Sequence, residues 1–258
     1  MKKSLILSAF FSIHSLHLAS AQEAKQDPAP AKPSEPAKLA PLQFIPEKVT
    51  DTFQKGKTWV INEKFAAAHK AEPIDHAPFV VSVMPSKEGK LMYLTRPKVS
   101  ELIRFSFTTK DKKLAESIRF TTLNMPTTMP MDVRLAKSAE LLEKQLFPNF
   151  ATGQKNLAIG KKYKTKVGPY NAAVVLGKLT TKDGSTLFMK AVAILRQNNR
   201  QGLIAVMFLD PSSGKKEDLK QRLANGDAQQ LLHSVRFLKK KAPDAAPKEK
   251  PASEIKKE

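Results

Sequence analysis

The chain has 258 residues, with 44 Lys and Arg against 24 Asp and Glu, a formal net charge of +20 and no cysteine. Disulfides and thiolate chemistry are excluded, so the fold must rest on an ordinary hydrophobic core. No segment approaches the roughly 18–20 apolar residues of a membrane-spanning helix.

Lys2 and Lys3 form a positive n-region, and an interrupted apolar stretch runs from Leu5 to Leu18. Ala19-Ser20-Ala21 supplies the small residues that signal peptidase requires. Residues 1–21 therefore read as a cleavable signal peptide, with Ala19 and Ala21 at the cleavage site and Gln22 as the mature terminus. Such a leader sends the protein to the periplasm or outside the cell, and its short n-region points to a bacterium. With no cysteine after the signal, a lipoprotein anchor is not expected. Residues 22–41 carry Pro28, Pro30, Pro33, Pro36 and Pro41 among Ala, Lys and Glu, with no aromatic residue. That composition cannot bury enough apolar surface to offset its ordering entropy, so it reads as an extended linker.

A single α+β domain is expected over residues 42–238. Asn62 to Lys70 reads as a helix, and Phe79 to Met84, Leu91 to Leu94, Leu102 to Phe107 and Ile118 to Leu123 read as strands. Asp132 caps a helix running to Phe147, with Val133, Leu135, Ala136, Ala139, Leu142 and Leu146 as its apolar stripe and Pro148 as its stop. The clearest signal follows. Tyr170 to Leu179 and Thr186 to Arg196 are apolar runs joined by Lys182-Asp183-Gly184-Ser185, and Leu203 to Leu209 returns after the turn Asn198 to Gly202. Asp-Gly between apolar runs marks a hairpin, because glycine tolerates a positive φ. The result is a three-stranded antiparallel meander. Val174 and Leu176 alternate with Ala173 and Val175, and Val192 and Ile194 with Ala191 and Ala193, so both faces of the sheet read as buried. Helices on both faces are the simplest cover. Lys215 to Ala224 supplies one helix, closed by Asn225-Gly226, Asp227 to Leu232 another, and Ser234 to Leu238 a last strand. Residues 239–258, with seven lysines, four acids and three prolines, read as a disordered tail.

This element order, with Val167-Gly168-Pro169-Tyr170, the Asp-Gly hairpin and Leu231-Leu232-His233-Ser234-Val235-Arg236-Phe237, resembles the PsbP-like family and its DcrB-like envelope relatives. The likeness spans about residues 118–237. It implies an α/β/α sandwich around an antiparallel sheet and an accessory or binding role. Residues 42–115 do not share it.

No motif assigns a catalytic, cofactor or metal residue. Gly56-Lys57-Thr58 is a fragment of a phosphate-binding loop, but Asp51 stands where the first glycine is required. His69, Glu72, Asp75 and His76 cluster loosely, and Pro73 breaks the helix that would align them as metal ligands. No motif places an orienting acid beside His233 and Ser234, and adjacent residues do not usually face one another. Asp183-Gly184 lacks the repeated oxygen ligands of a calcium loop. Trp59, with Phe53, Phe65 and Tyr93, reads as core rather than a ligand platform. Met125, Met129 and Met131 carry thioethers suited to Cu(I), though methionines also fill gaps under loops.

The charge excess remains. Losing Lys2 and Lys3 lowers the net charge from +20 to +18, and the tail accounts for only +3 of that. Lys161, Lys162, Lys164 and Lys166 surround Tyr163, and in extended chain Lys162, Lys164 and Lys166 share one face. Lys110, Lys112 and Lys113 form a second group, and Lys215, Lys216 and Lys220 a third. Such a body attracts lipid headgroups or acidic polysaccharide, and no nucleic-acid motif is present. The expectation is an exported, non-enzymatic binding or accessory protein of the bacterial envelope. Two alternatives stand beside it: a hydrolase or other enzyme whose site is assembled from distant residues, and a polyanion binder.

Overall fold

The computed structural model describes residues 39–47, 56–71, 74–83, 90–94, 101–213 and 218–239. The expected signal peptide with Ala19, Ala21 and Gln22, most of the expected linker, and the residues beyond Lys239 lie outside them.

The strands are β1 (Lys57–Ile61), β2 (Phe79–Val83), β3 (Leu91–Leu94), β4 (Glu101–Thr108), β5 (Leu114–Asn124), β6 (Asn156–Val167), β7 (Tyr170–Thr180), β8 (Thr186–Leu195), β9 (Gln201–Leu209) and β10 (Arg236–Phe237). The expected meander is present as β7, β8 and β9, and its Asp-Gly turn has Gly184 at φ +85°. It has a fourth strand that the sequence reading left unassigned, since β6 pairs with β7 through a tight turn at Gly168-Pro169. Pairing of β5 with β9, from Glu116↔Leu209 to Asn124↔Gln201, joins the upstream hairpin to the meander. The result is an antiparallel seven-stranded sheet in the order β3-β4-β5-β9-β8-β7-β6.

Both faces of its centre are buried, as the alternation required, but the two covers differ. One face carries Ala173, Ala191, Ala193 and Val206 beneath a long helix. The other carries Val174, Val192, Ile194 and Ala205 beneath a three-stranded sheet, β1-β2-β10, and one short helix. Helices alone were expected on both faces. The apolar residues Trp59, Ile61, Phe79 and Val81 on β1 and β2 supply the second layer instead, packed in one cluster with Phe105 and Phe120.

The long helix corrects two expectations. It begins as α2 (Met131–Leu141) with Pro130, not Asp132, at its N-cap, and Val133 is exposed. It does not end at Pro148. A π-helical turn over Leu142–Leu146 leads into α3 (Phe147–Ala151), and the Phe147 N–H donates to Leu142 O five residues back. In an unbroken α-helix the proline ring would strike the carbonyl four residues earlier, and the wider turn removes that clash. Arg134 of α2, 1% exposed, is turned inward as a staple. Its guanidinium donates to the carbonyls of Arg196 (3.0 Å), Gln197 (3.1 Å) and Asn199 (2.8 Å), fixing the turn between β8 and β9.

The remaining helices are α1 (Glu63–Ala68), capped by the Asn62 side chain, α4 (Asp218–Asn225) and α5 (Asp227–His233). Gly226 does not close α4 in a left-handed conformation as expected; at φ −63° it is the N-cap of α5. Its side-chain-free space is taken by Glu116 of β5, whose Oε2 accepts from the Ala228 N–H at 3.0 Å. The expected last strand shrinks to β10, because Ser234 caps α5 and its hydroxyl accepts from the Ser82 N–H at 2.8 Å.

Two glycines test this packing. A Cβ on Gly177 of β7 would overlap the Phe147 ring, whereas one on Gly184 meets nothing within 4 Å and only the positive φ resists it. Gly177→Ala should cost about 2–3 kcal/mol through overpacking, and Gly184→Ala about 1 kcal/mol. Urea-unfolding midpoints check this, and equal losses would contradict the close approach of α3 to β7.

Candidate functional site

The lysines singled out in the sequence lie on β6. Tyr163, Thr165 and Val167 are buried, and Lys162, Lys164 and Lys166 share the opposite, outer face, as extended chain dictates. Two of them are already paired with acids of the long helix: Lys162 Nζ lies 2.7 Å from Glu143 and Lys164 Nζ 2.7 Å from Asp132. Lys161 and Lys166 have no ion pair among the described residues. Of the second group, Lys112 sits at φ +61° in the exposed β4–β5 turn. Lys215 and Lys216 lie outside the described residues.

Sequence reasoning missed the most concentrated polar chemistry. Residues 39–47 form a strap along the outer edge of β6. Lys164 N–H donates to Gln43 O at 2.9 Å, and Ile45 N–H donates to Lys164 O at 2.8 Å. The strap alternates like a strand, placing Leu42 against the helix-side cluster and Ile45 against the other. It ends with the Glu47 carboxylate inserted beneath α5. Glu47 Oε1 accepts from Tyr163 Oη and Lys190 Nζ, each at 2.7 Å. Glu47 Oε2 accepts from Lys190 Nζ at 2.8 Å and Gln229 Nε2 at 2.7 Å, and lies 3.1 Å from His233 Nε2. Lys190 also donates to Gln229 Oε1 at 2.9 Å, which orients the amide so that its nitrogen faces Glu47 and His233.

Lys190 belongs to β8 in the middle of the sheet and is 4% exposed. Burial pushes its ammonium down from the usual lysine range, and the adjacent Glu47 charge opposes this. Burial alone would push the Glu47 carboxyl up. The His233 hydrogen bond, the Lys190 charge and the Tyr163 hydroxyl more than reverse that and hold it well below the usual carboxylate range. Tyr163 is raised by burial and by the same carboxylate. The arrangement binds a carboxylate firmly.

Other candidates resolve into structure. Gly56-Lys57-Thr58 runs into strand β1, and a phosphate loop must open a helix instead. Lys57 Nζ lies 4.4 Å from the Trp59 ring centroid. The rings of Trp59, Phe65 and Phe105 form a buried or half-buried cluster that Tyr93 covers, 4.2 Å from Trp59 between centroids; Phe53 lies outside the described residues. His69 Nδ1 lies 2.8 Å from Phe65 O and His76 Nδ1 2.9 Å from Ala77 O; Glu72 is not described. Among the described residues no three His, Asp or Glu converge as metal ligands. Met125, Met129 and Met131 pack into the helix-side core. Ser234 donates to Leu231 O at 2.6 Å and does not face His233 as a nucleophile. Of the hollows among the described residues, one beside α1 has a volume of about 10 Å³, enough for a single water. Another, of about 370 Å³, is an open depression lined by Asp75, Thr127 and the 198–201 turn.

Among the described residues, β3, an edge strand of the large sheet, carries a run of three exposed apolar side chains. Met92, Tyr93 and Leu94 are 48%, 43% and 44% exposed in succession. Among the described residues no helix is long and apolar enough to cross a membrane.

No protein-family model and no curated protein matches this chain. Solved structures do. The chain is similar to cyanobacterial PsbP (CyanoP) of Synechocystis, at 7% identity and a TM-score of 0.44, over 65% of this chain and 90% of that one. It is similar to the Ran-binding protein Mog1p of Saccharomyces cerevisiae, at 11% identity and a TM-score of 0.40, over 71% and 96%. It is also similar to a Bacteroides thetaiotaomicron structure, at 11% identity and a TM-score of 0.36 over 62% of this chain, and spans 45% of that protein's length. PsbP, whose family the sequence resembles, is thus among the structures matched.

The Glu47 carboxylate is open to test. Glu47→Gln leaves the Lys190 charge buried without a counter-ion and should cost about 3 kcal/mol near neutral pH. Because folding lowers the Glu47 pKa from its ordinary value of 4.5, its contribution is present above that value and fades as pH falls. The stability gap between parent and variant should therefore narrow between about pH 5 and pH 3, read from denaturant melts at each pH.

Proposed function

We propose that the protein is an exported, non-enzymatic binding or accessory protein of the bacterial envelope, whose partner is another envelope protein engaged at the β3 edge. In this reading residues 1–21 are removed as a signal peptide and residues 22–41 tether a single domain over residues 42–238. Residues 239–258 form a polar tail, and the mature protein works in the periplasm or outside the cell without a cofactor. The observation that carries the reading is β3 itself. Three consecutive large apolar side chains stand exposed on a sheet edge whose outer backbone groups have no strand beside them among the described residues. Exposed apolar edges are either blunted or used, and an added strand from a partner is the usual use.

A second reading, binding of a lipid headgroup or acidic polysaccharide surface, draws on the shared outer face of Lys162, Lys164 and Lys166. The ion pairs to Glu143 and Asp132 are partly exposed, of the kind worth about 0–1 kcal/mol, so a dense polyanion can compete for both lysines.

Three measurements separate these ideas. Mass spectrometry of the exported protein should find Gln22 at the amino terminus, and an intact Met1 would refute export by cleavage. A photo-crosslinking residue at Met92 should capture a discrete envelope protein that the same group at Val133, exposed on α2, does not. Identical adducts from both positions would remove β3 as the contact. The triple Gln variant of Lys162, Lys164 and Lys166 should elute from heparin at lower salt than the parent. If deletion of residues 239–258 lowers it more, the charge acts through the tail.

A further inference from the structure

The strap reads as a bound peptide. Its backbone bonds to β6 only at Lys164 among the described residues, in parallel register, as a strand added to a sheet edge does. Phe44 is 50% exposed, and Pro41 and Pro46 remove two donors that a strand in this position would otherwise offer. Against that sparse hold stands a well-built receptor. Tyr163 from β6, Lys190 from β8 and Gln229 and His233 from α5 converge on one carboxylate with two oxygens and five polar contacts. The bond from Lys190 to Gln229 Oε1 does not involve Glu47, so these two side chains hold each other in place without it.

We propose that Tyr163, Lys190, Gln229 and His233 form a carboxylate-binding site that the chain fills with its own Glu47, and that its ligand from outside is an extended acidic peptide segment of a partner protein that displaces the strap. Charge favours this occupant. The site has a buried ammonium at its base, and Lys162, Lys164 and Lys166 line the same edge on the outer face. A partner strand without prolines could also bond the outward backbone groups on either side of Lys164, which the strap leaves unused. Such a ligand must overcome the high effective concentration of a tethered competitor, so the parent chain takes it weakly and a chain with a disabled strap takes it well. The β6 edge lies at the opposite side of the sheet from β3, so a ligand there needs nothing from the β3 surface.

The experiment uses the full chain with Glu47→Ala, and Glu47→Gln should the alanine variant fail to fold. Acetate should raise the melting temperature of the variant more than chloride of equal ionic strength, with no such difference in the parent. A fluorescent peptide with the sequence of residues 39–47 should bind the variant at least about tenfold more tightly than it binds the parent. The same peptide ending in Gln should not bind, and Lys190→Met introduced into the variant should abolish uptake while the chain stays folded. Equal effects of acetate and chloride, or equal binding of the Glu and Gln peptides, would overturn the proposal. A Glu47-dependent dimer of the parent that exchanges straps but takes up no peptide would make the occupant a second copy, and would overturn it as well.

Discussion

Lys190 places an ammonium on the third strand from the β6 edge of a sheet that is buried on both faces. An unpaired charge there would cost far more than a domain of this size can sustain, so a counter-charge must be brought to it. None of the residues opposite Lys190 on its neighbouring strands can serve, since these are Leu176 on β7 and Met207 on β9. The carboxylate comes instead from Glu47, 143 residues earlier, and its arrival determines the neighbourhood. The strap must run along β6, Tyr163 must turn its hydroxyl inward, and α5 must set Gln229 and His233 one turn apart on the face that looks down on the pair.

The two covers of the sheet follow from residue size. On the helix side the central strands present alanines, Ala173, Ala191 and Ala193, with Gly177 nearby, so α2 and α3 settle close and Phe147 lies on the glycine. On the other side Val174, Val192 and Ile194 stand taller and meet the rings of a second sheet. The π turn belongs to the same fit. It lets one helix continue past Pro148, so that Phe147 and Phe150 both reach the core.

Much of this was legible in the sequence. Asp183-Gly184 between apolar runs located the β7–β8 turn, and the double-sided apolar character of β7, β8 and β9 called for two covers. Short-range signals of this kind are written in adjacent residues. Strand β6 was missed because its outer lysines read as a charge run, although the buried alternation Tyr163, Thr165, Val167 was its core-facing half. Strand β1 was hidden within a fragment resembling a phosphate loop. The Glu47 site could not be read from spacing, since its members lie at positions 47, 163, 190, 229 and 233 and meet only through tertiary packing. One trace was present: a lysine within the otherwise apolar stretch from Leu187 to Leu195 requires a partner.

Helix α5 shows how buried carboxylates substitute for length. Its seven residues are too few to hold a helix by backbone bonds alone. Glu116 accepts from the Ala228 N–H at its first turn, where the helix dipole also favours a negative charge, and Glu47 engages Gln229 in that turn and His233 at the last residue. The two acids respond to pH in opposite directions. Burial raises the Glu116 pKa despite the Ala228 hydrogen bond and Arg222, whereas the cation and hydrogen bonds around Glu47 overcome burial and lower its pKa. A raised carboxyl pKa makes the folded state more favourable as pH falls through it, and a lowered one makes it less favourable. Acidification therefore neutralises the amino-terminal anchor of α5 first and with little penalty. The strap remains latched until the solution is acidic enough to protonate Glu47, so the hold on the β6 edge outlasts the cap on α5.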